Sequence, residues 1–464
     1  MPLIIKTGTS LTSEQKYICN IIFYEFLGLE WEHETAEIDD VCICLHGEPG
    51  KVRMPDVFFR RAYSKWLSAD SLPILPLTIW NSKELETKIC LVDHNVPVIY
   101  GDGIYHSNMR KREIYLPIDV IGSAFFMLSR YEEVVKKTER DQHKRFYATA
   151  SCAYSEKFIN RPIVDEYVEI LWSTLSKLWT RLERKEKKNI LRVTCDVDLP
   201  YSVNYSIKWM GKGLFEDILR NKNPRLALYN LYTRIRAIRG DFEDDIYLNN
   251  IYWMMDVNEK EGNSITFYFI SYNGHSLDGW YRLDEPVISR LLRDIYNRGH
   301  KICLHPSYNS YLNAEQIQQE VNILRQALEN NGIQFECIGS RQHYLRWEPS
   351  KTSSILEAAG IKYDSTLAYA DHSGFRCGTS REFTMFDVIS HCEMSIKQQP
   401  LILMETTIVE EHYQALGYTD VALQYMLTLK ERALAIGGEF TLLWHNSSLD
   451  DNEARCMYLE LIRH

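Results

Sequence analysis

Short apolar runs and amphipathic stretches alternate along this chain, and the rhythm of that alternation changes near Lys188. Before that point VCICLH, LPILPLTIW and KICLVDHNVPVIY have the β-branched, apolar character of strands, while residues 11–27 and 117–135 carry helical spacing. In DEYVEILWSTLSKLWTRL, Val168, Leu171, Trp172, Leu175, Leu178 and Trp179 recur at helical intervals, and the segment runs into a charged stretch at residues 181–188, the solvated end of a connecting helix. Beyond it, LRVTC, ITFYFI, KICLH, ECIGS, LILME and FTLLWH read as strands separated by helical stretches at Pro286–Asn297, Ala314–Asn330 and residues 421–435. Asn313 is placed to cap the second of these, with Gln316 answering three residues later and Ile317, Val321, Leu324 and Leu328 on one apolar face. The expectation is a smaller mixed α/β domain at residues 1–188, then a domain of parallel strands and crossover helices at 189–464, closing as a barrel or opening as a doubly wound sheet. Residues 201–247 interrupt the repeat with a predicted helical insertion able to cover a site.

Composition narrows the function classes. The chain has 464 residues, 45% hydrophobic and 25% charged, enough for more than one core. A formal charge of -10 and the absence of a long Lys/Arg run argue against a nucleic-acid or anionic-membrane surface, which needs concentrated positive charge. The apolar runs fall short of the roughly 18 residues of a spanning helix, and MPLIIKTGTSLTSEQKY lacks the pattern of a secretory signal, so a cytoplasmic location is expected. Eleven scattered cysteines without a C-x-x-C disfavour both a disulfide scaffold and a thiolate zinc site; Cys195, Cys303 and Cys337 sit in apolar runs as small hydrophobes. In the first domain Asp93 and His94 read as a polar turn, and the domain is assigned a structural or partner-binding role.

The residues able to do chemistry follow directly on the apolar runs. Asp196 and Asp198 follow LRVTC, His305 ends KICLH, Arg341 and His343 follow CIGS, Glu405 ends LILME, and His445 ends FTLLWH. The carboxyl ends of strands are where α/β folds build ligand sites, so five strand ends are expected to converge on one mouth. Two carboxylates just after a buried strand are costly unless paired or metal-bound. A lone His in such a place is by itself an ordinary hydrogen-bonded core residue, and Glu405 is expected to pair with an arginine such as Arg376.

Five short segments then carry a resemblance. Thr194-Cys195-Asp196-Val197-Asp198, Leu304-His305-Pro306-Ser307, Ser340-Arg341, Tyr363-Asp364-Ser365-Thr366 and Leu442-Leu443-Trp444-His445 resemble, in order and spacing, the motifs of the polysaccharide deacetylases of carbohydrate esterase family four. YDSTLAYADHSGFRCGT and DVIGSAFFMLSRYEE resemble a bacterial subgroup in which an N-terminal domain of unknown role precedes the deacetylase-like domain. The resemblance implies a distorted (β/α) barrel and a metal-dependent hydrolase that removes N-acetyl groups from a carbohydrate, a glycan or glycan precursor. It implies that Asp198 and His305 bind a divalent metal, usually zinc, which polarises the N-acetyl carbonyl and lowers the pKa of the attacking water. Asp196 is then the base, His445 the acid that protonates the departing amine, and Arg341 the partner that orients Asp196.

One position departs from the family pattern. Where the second motif normally places another ligating histidine, four residues after the first, this chain has Asn309, a poor zinc ligand. His343 is the candidate to complete an Asp-His-His set, with His372 a weaker one. Tyr308, Tyr344, Trp347 and Trp444 are candidate faces for sugar rings, and Arg376 a further substrate-binding residue. Two other readings stay open: a metal-independent hydrolase of another small amide on the same fold, and a non-catalytic carbohydrate-binding or assembly protein.

Overall fold

The computed structural model describes residues 1–202 and 239–464, together with 232, 235 and 236; the insertion expected at 201–247 falls largely outside the described residues. The first part contains β1 (Leu3–Thr7), β2 (Trp31–Thr35), β3 (Val41–Leu45), β4 (Lys51–Met54), β5 (Thr78–Asn81), β6 (Asn95–Val98), β7 (His106–Asn108) and β8 (Glu113–Tyr115). Six of them form a mixed sheet in the order β2-β1-β3-β4-β8-β7, and β5 pairs with β6 as a separate antiparallel ribbon. VCICLH is a strand as expected, with Val41, Ile43 and Leu45 buried. LPILPLTIW supplies only β5, because Pro73 and Pro76 have no N–H to give a ladder. Residues 11–27 are helical in two pieces: Ser13–Cys19, closed at its start by a reciprocal cap between Thr12 and Gln15, runs on as a π-helix over Asn20–Phe26. Residues 117–135 hold helices Val120–Leu128 and Tyr131–Val135, broken at Arg130, whose φ is 53°. Asp93 and His94 do form a turn: the Asp93 carboxylate accepts the Asn95 N–H at 2.8 Å, and His94 Nδ1 meets Ser82 Oγ at 2.8 Å.

The second part contains β9 (Ile190–Val197), β10 (Ile265–Phe269), β11 (Lys301–Leu304), β12 (Gly339–Ser340), β13 (Tyr363–Asp364), β14 (Phe383–Asp387), β15 (Cys392–Gln398), β16 (Leu403–Met404) and β17 (Glu439–Leu443). They form one sheet in the order β14-β15-β13-β12-β11-β10-β9-β17-β16, parallel throughout except for the antiparallel β14–β15 pair. β9 lies between β10 and β17 with its last five residues buried, which accounts for the unbroken apolar run that marks it in the sequence. Helices Pro286–Asn297 and Ala314–Asn330 have the expected bounds, and a third covers Asp420–Ala435. Asn313 caps as expected, but Gln316 does not answer it: its amide donates to Ser307 Oγ at 2.7 Å and Glu320 at 3.1 Å.

No closed barrel is formed among the described residues, since β14 and β16 are not paired with each other. Each edge is met by something else. Beside β16, the Gly374 N–H from an irregular segment donates to the Ile402 carbonyl at 3.2 Å. At β14, the Tyr17 hydroxyl donates to the Thr384 carbonyl at 2.7 Å and its ring packs 4.8 Å from Phe386. Edge strands blunted in this way no longer offer a free ladder. One apolar core runs from Leu3 and Ile5 through Phe125 and Val168 to Ile265 and Leu442. All eleven cysteines are free thiols; Cys195 and Cys303 are buried, whereas Cys337 is exposed. Among the described residues no helix is long and apolar enough to cross a membrane.

Candidate active site

Parallel pairing brings the carboxyl ends of β9, β11, β12, β16 and β17 to the same side of the sheet, and the polar residues expected there are found at those ends. Asp198 follows β9, His305 follows β11, Arg341 and His343 follow β12, Glu405 follows β16 and His445 comes two residues after β17. The side chains converge on Asp198. Its Oδ1 lies 3.2 Å from His305 Nε2 and 3.6 Å from His343 Nε2, and its Oδ2 lies 3.8 Å from His445 Nε2.

The tautomers of both histidines beside Oδ1 follow from their other nitrogens. His305 Nδ1 donates to the Arg341 carbonyl at 2.5 Å, and His343 Nδ1 donates to the Asp278 carboxylate at 2.9 Å. With the ring proton on Nδ1, each Nε2 turns a lone pair toward Asp198, the orientation in which histidine ligates metals. Asp198 Oδ1 is itself buried and without a hydrogen-bond partner, a costly condition for a carboxylate oxygen unless a cation meets it. One ligand atom from each of Asp198, His305 and His343 lies within 4.8 Å of the other two. These residues fit a divalent cation, and a two-nitrogen, one-oxygen set is what zinc takes when a coordination position is left for substrate.

Around this group stand two polar pairs. Arg341 is fully buried and donates through Nη1 to Asp196 Oδ1 and to Thr194 Oγ1, both at 2.8 Å. Its Nε and Nη2 donate to the carbonyl and hydroxyl of Ser365, each at 3.0 Å, and the guanidinium lies over the Tyr268 ring. Burial works against its charge, but the neighbouring Asp196 keeps it more basic than usual. The second pair is His445 with Glu405, whose Oε1 accepts from His445 Nδ1 at 2.6 Å. Burial would make this imidazole easier to deprotonate; the charges of Glu405, Asp198 and Asp196 reverse that and push it up to about 10. Asp198 shows the converse: burial raises it, and with no cation bound the charge that His343, His305 and His445 carry when protonated more than offsets that, holding it well below the usual carboxylate range.

The expected substrate-binding residues divide. Tyr308 and Tyr344 form an edge-to-face pair with centroids 5.3 Å apart, and Tyr344 packs 4.8 Å from the His343 ring. Trp347 is 2% exposed, Trp444 0% and Arg376 2%, so none of the three presents a face or a charge to a substrate. Trp444 packs against Tyr418 and Tyr458. Arg376 is locked to Glu133 at 2.9 and 2.6 Å, so Glu405 has His445 as its partner and not, as expected, an arginine. Asn309 is exposed, its Oδ1 3.5 Å from Arg346, and His343 occupies the third position instead. His372 lies against Tyr154, outside the cluster.

Two residues at the site went unnoticed in the sequence. Asp278 lies in the loop after β10, and a polar stretch after a strand was the available signal. His143, from the first part, hydrogen-bonds through Nδ1 to the Tyr308 hydroxyl at 2.9 Å, and nothing in its local pattern points there.

Residues 3–180 match a family of unknown function, DUF7033. No curated protein matches the chain. Among solved structures, a protein from Mycobacterium smegmatis described as a polysaccharide deacetylase is 16% identical, with 60% of this chain and 84% of that chain covered and a TM-score of 0.37. Puue allantoinase is 11% identical, with 60% and 83% covered and a TM-score of 0.36.

Proposed function

We propose that this chain is a metal-dependent amide hydrolase that removes N-acetyl groups from a glycan or glycan precursor, with zinc as its ion. The observation that carries the reading is the Asp198–His305–His343 group, in which both imidazoles are fixed with Nε2 toward an unpartnered carboxylate oxygen. A divalent cation held there supplies Lewis acidity toward a carbonyl oxygen and makes water nucleophilic near neutral pH.

The chain's own residues do the rest. Asp196 sits beside the ligand group, its Oδ2 3.7 Å from His305 Nε2, and serves as the base that accepts the proton of the attacking water. Arg341 fixes that carboxylate through Oδ1 and leaves Oδ2 for the reaction. His445, on the other side of Asp198, is kept protonated by Glu405 and delivers its Nε2 proton to the departing amine.

Elemental analysis of protein purified without chelator, beside His305→Ala, tests the metal. About one zinc per chain, lost in the variant, together with acetate release from N-acetylated sugars by the wild type, is the expected result. Absence of metal after reconstitution would sink the proposal.

A further inference from the structure

The segment before β9 reaches the site through one turn. Asp141 organises it: its Oδ1 accepts the N–H groups of His143 and Arg145, both at 2.8 Å, and its Oδ2 accepts Arg145 Nε at 2.7 Å. From this frame Arg145 donates to the Tyr344 carbonyl at 3.2 Å and to the Tyr413 hydroxyl at 3.3 Å, while the His143 carbonyl accepts Arg346 Nε at 2.9 Å. Tyr344 has φ 61° and ψ 14°, a left-handed conformation that is unfavourable for a tyrosine and persists only where surrounding contacts impose it. Arg145 is one of those contacts.

The result is a continuous aromatic wall beside the ligand group. His143 is centred 4.9 Å from Tyr344, Tyr344 is 4.8 Å from His343, and Tyr308 stacks on His275 at 4.5 Å. Its two arginines are committed: Arg145 to Asp141, Tyr344 and Tyr413, and Arg346 to the carbonyls of Tyr308 and His143. Burial and the charges of Arg145 and Arg346 hold His143 below its ordinary basicity, against the opposing pull of Asp141. Close by are the carboxylates of Asp196, Asp198 and Asp278. Flat aromatic faces beside arginines that are already paired suit a sugar ring.

We propose that the Asp141–Arg145 turn forms the substrate-recognition wall of the site, with His143 and Tyr344 as specificity-determining residues for an N-acetylated pyranose. The region matching a family of unknown function thereby supplies part of the binding cleft and is more than a structural appendage. The inference rests on the hydrolase reading for its kinetics but not for its binding.

The test uses full-length protein and the N-acetylglucosamine tetramer as probe. His143→Ala is expected to raise KM at least ten-fold with kcat within three-fold of wild type and unchanged zinc content; His143→Asn, which retains a polar atom toward Tyr308, should recover part of the loss. In an Asp196→Asn background, calorimetric titration should show the same ten-fold weakening when His143→Ala is added. Unchanged KM and affinity, a loss confined to kcat, or absence of tetramer binding by the Asp196→Asn protein would each overturn the proposal. Wild-type binding that depends on His143 without any acetate release would leave it standing and remove the hydrolase reading alone.

Discussion

Glu405 engages His445 twice through a single oxygen: Oε1 accepts the His445 backbone N–H at 2.9 Å and its ring Nδ1–H at 2.6 Å. The carboxylate therefore fixes the position of the imidazole and its charge together. Glu405→Gln keeps an oxygen for the backbone contact and removes the charge. General acid catalysis is worth about 10²–10⁴ in rate, so kcat should fall by roughly that range while zinc content stays near wild type. Steady-state kinetics paired with elemental analysis checks this, and a variant that lost its metal would point to a different role for Glu405.

Asp278 is the anchor of His343, and it also accepts the backbone N–H groups of Tyr308 and His275. Outer partners of this kind typically contribute 10–100-fold in metal affinity. Asp278→Asn should weaken zinc binding by about that factor in a chelator competition, whereas His343→Ala should abolish stoichiometric binding.

Glu133 is fully buried between Arg130, at 2.9 Å, and Arg376, at 2.9 and 2.6 Å. Burial would raise its pKa, but the charges of Arg376 and Arg130 prevail and bring it to about 2. A carboxylate depressed in this way stabilises the fold above its unfolded pKa, and that contribution is lost as pH falls from about 4.5 toward 2. Glu133→Gln should cost about 3–5 kcal/mol near pH 7. The gap from wild type should narrow as pH is lowered through that window, as read by urea unfolding.

Phe125 is buried at the junction of the two parts, with ring centroids 6.2 Å from Tyr17, 5.7 Å from Phe58 and 5.4 Å from Phe386. Phe125→Ala should destabilise by about 3–5 kcal/mol. Because the cavity opens between the first part and β14, thermal melting should shift as one transition; a shift confined to one of two separate transitions would count against a shared core.

Asp196, Asp198, His305 and His445 were legible because a buried parallel strand is an apolar run, and the first polar residues after it mark its carboxyl end. The bounds of Pro286–Asn297 and Ala314–Asn330 were legible for the same kind of reason, a regular apolar face with recognisable ends. Trp347 and Trp444 were misplaced because an aromatic beside a motif has the same spacing whether it lines a cleft or packs beneath it. The partners of Glu405 and Arg376, the contact of His143 with Tyr308 and the fate of the β14 edge depend on pieces of chain far apart in sequence. No local pattern encodes them.

The sheet also constrains the order of events on the ribosome. β9, which leads to Asp198, has one edge against β10 and the other against β17, so Ile190 finds its partner Glu439 only after nearly all of the intervening chain has been made. Pairings that distant form slowly, and until they do the nascent β9 has an uncovered edge. His445, just beyond β17, takes its place in the same late step, so the cluster of side chains around Asp198 is completed only then.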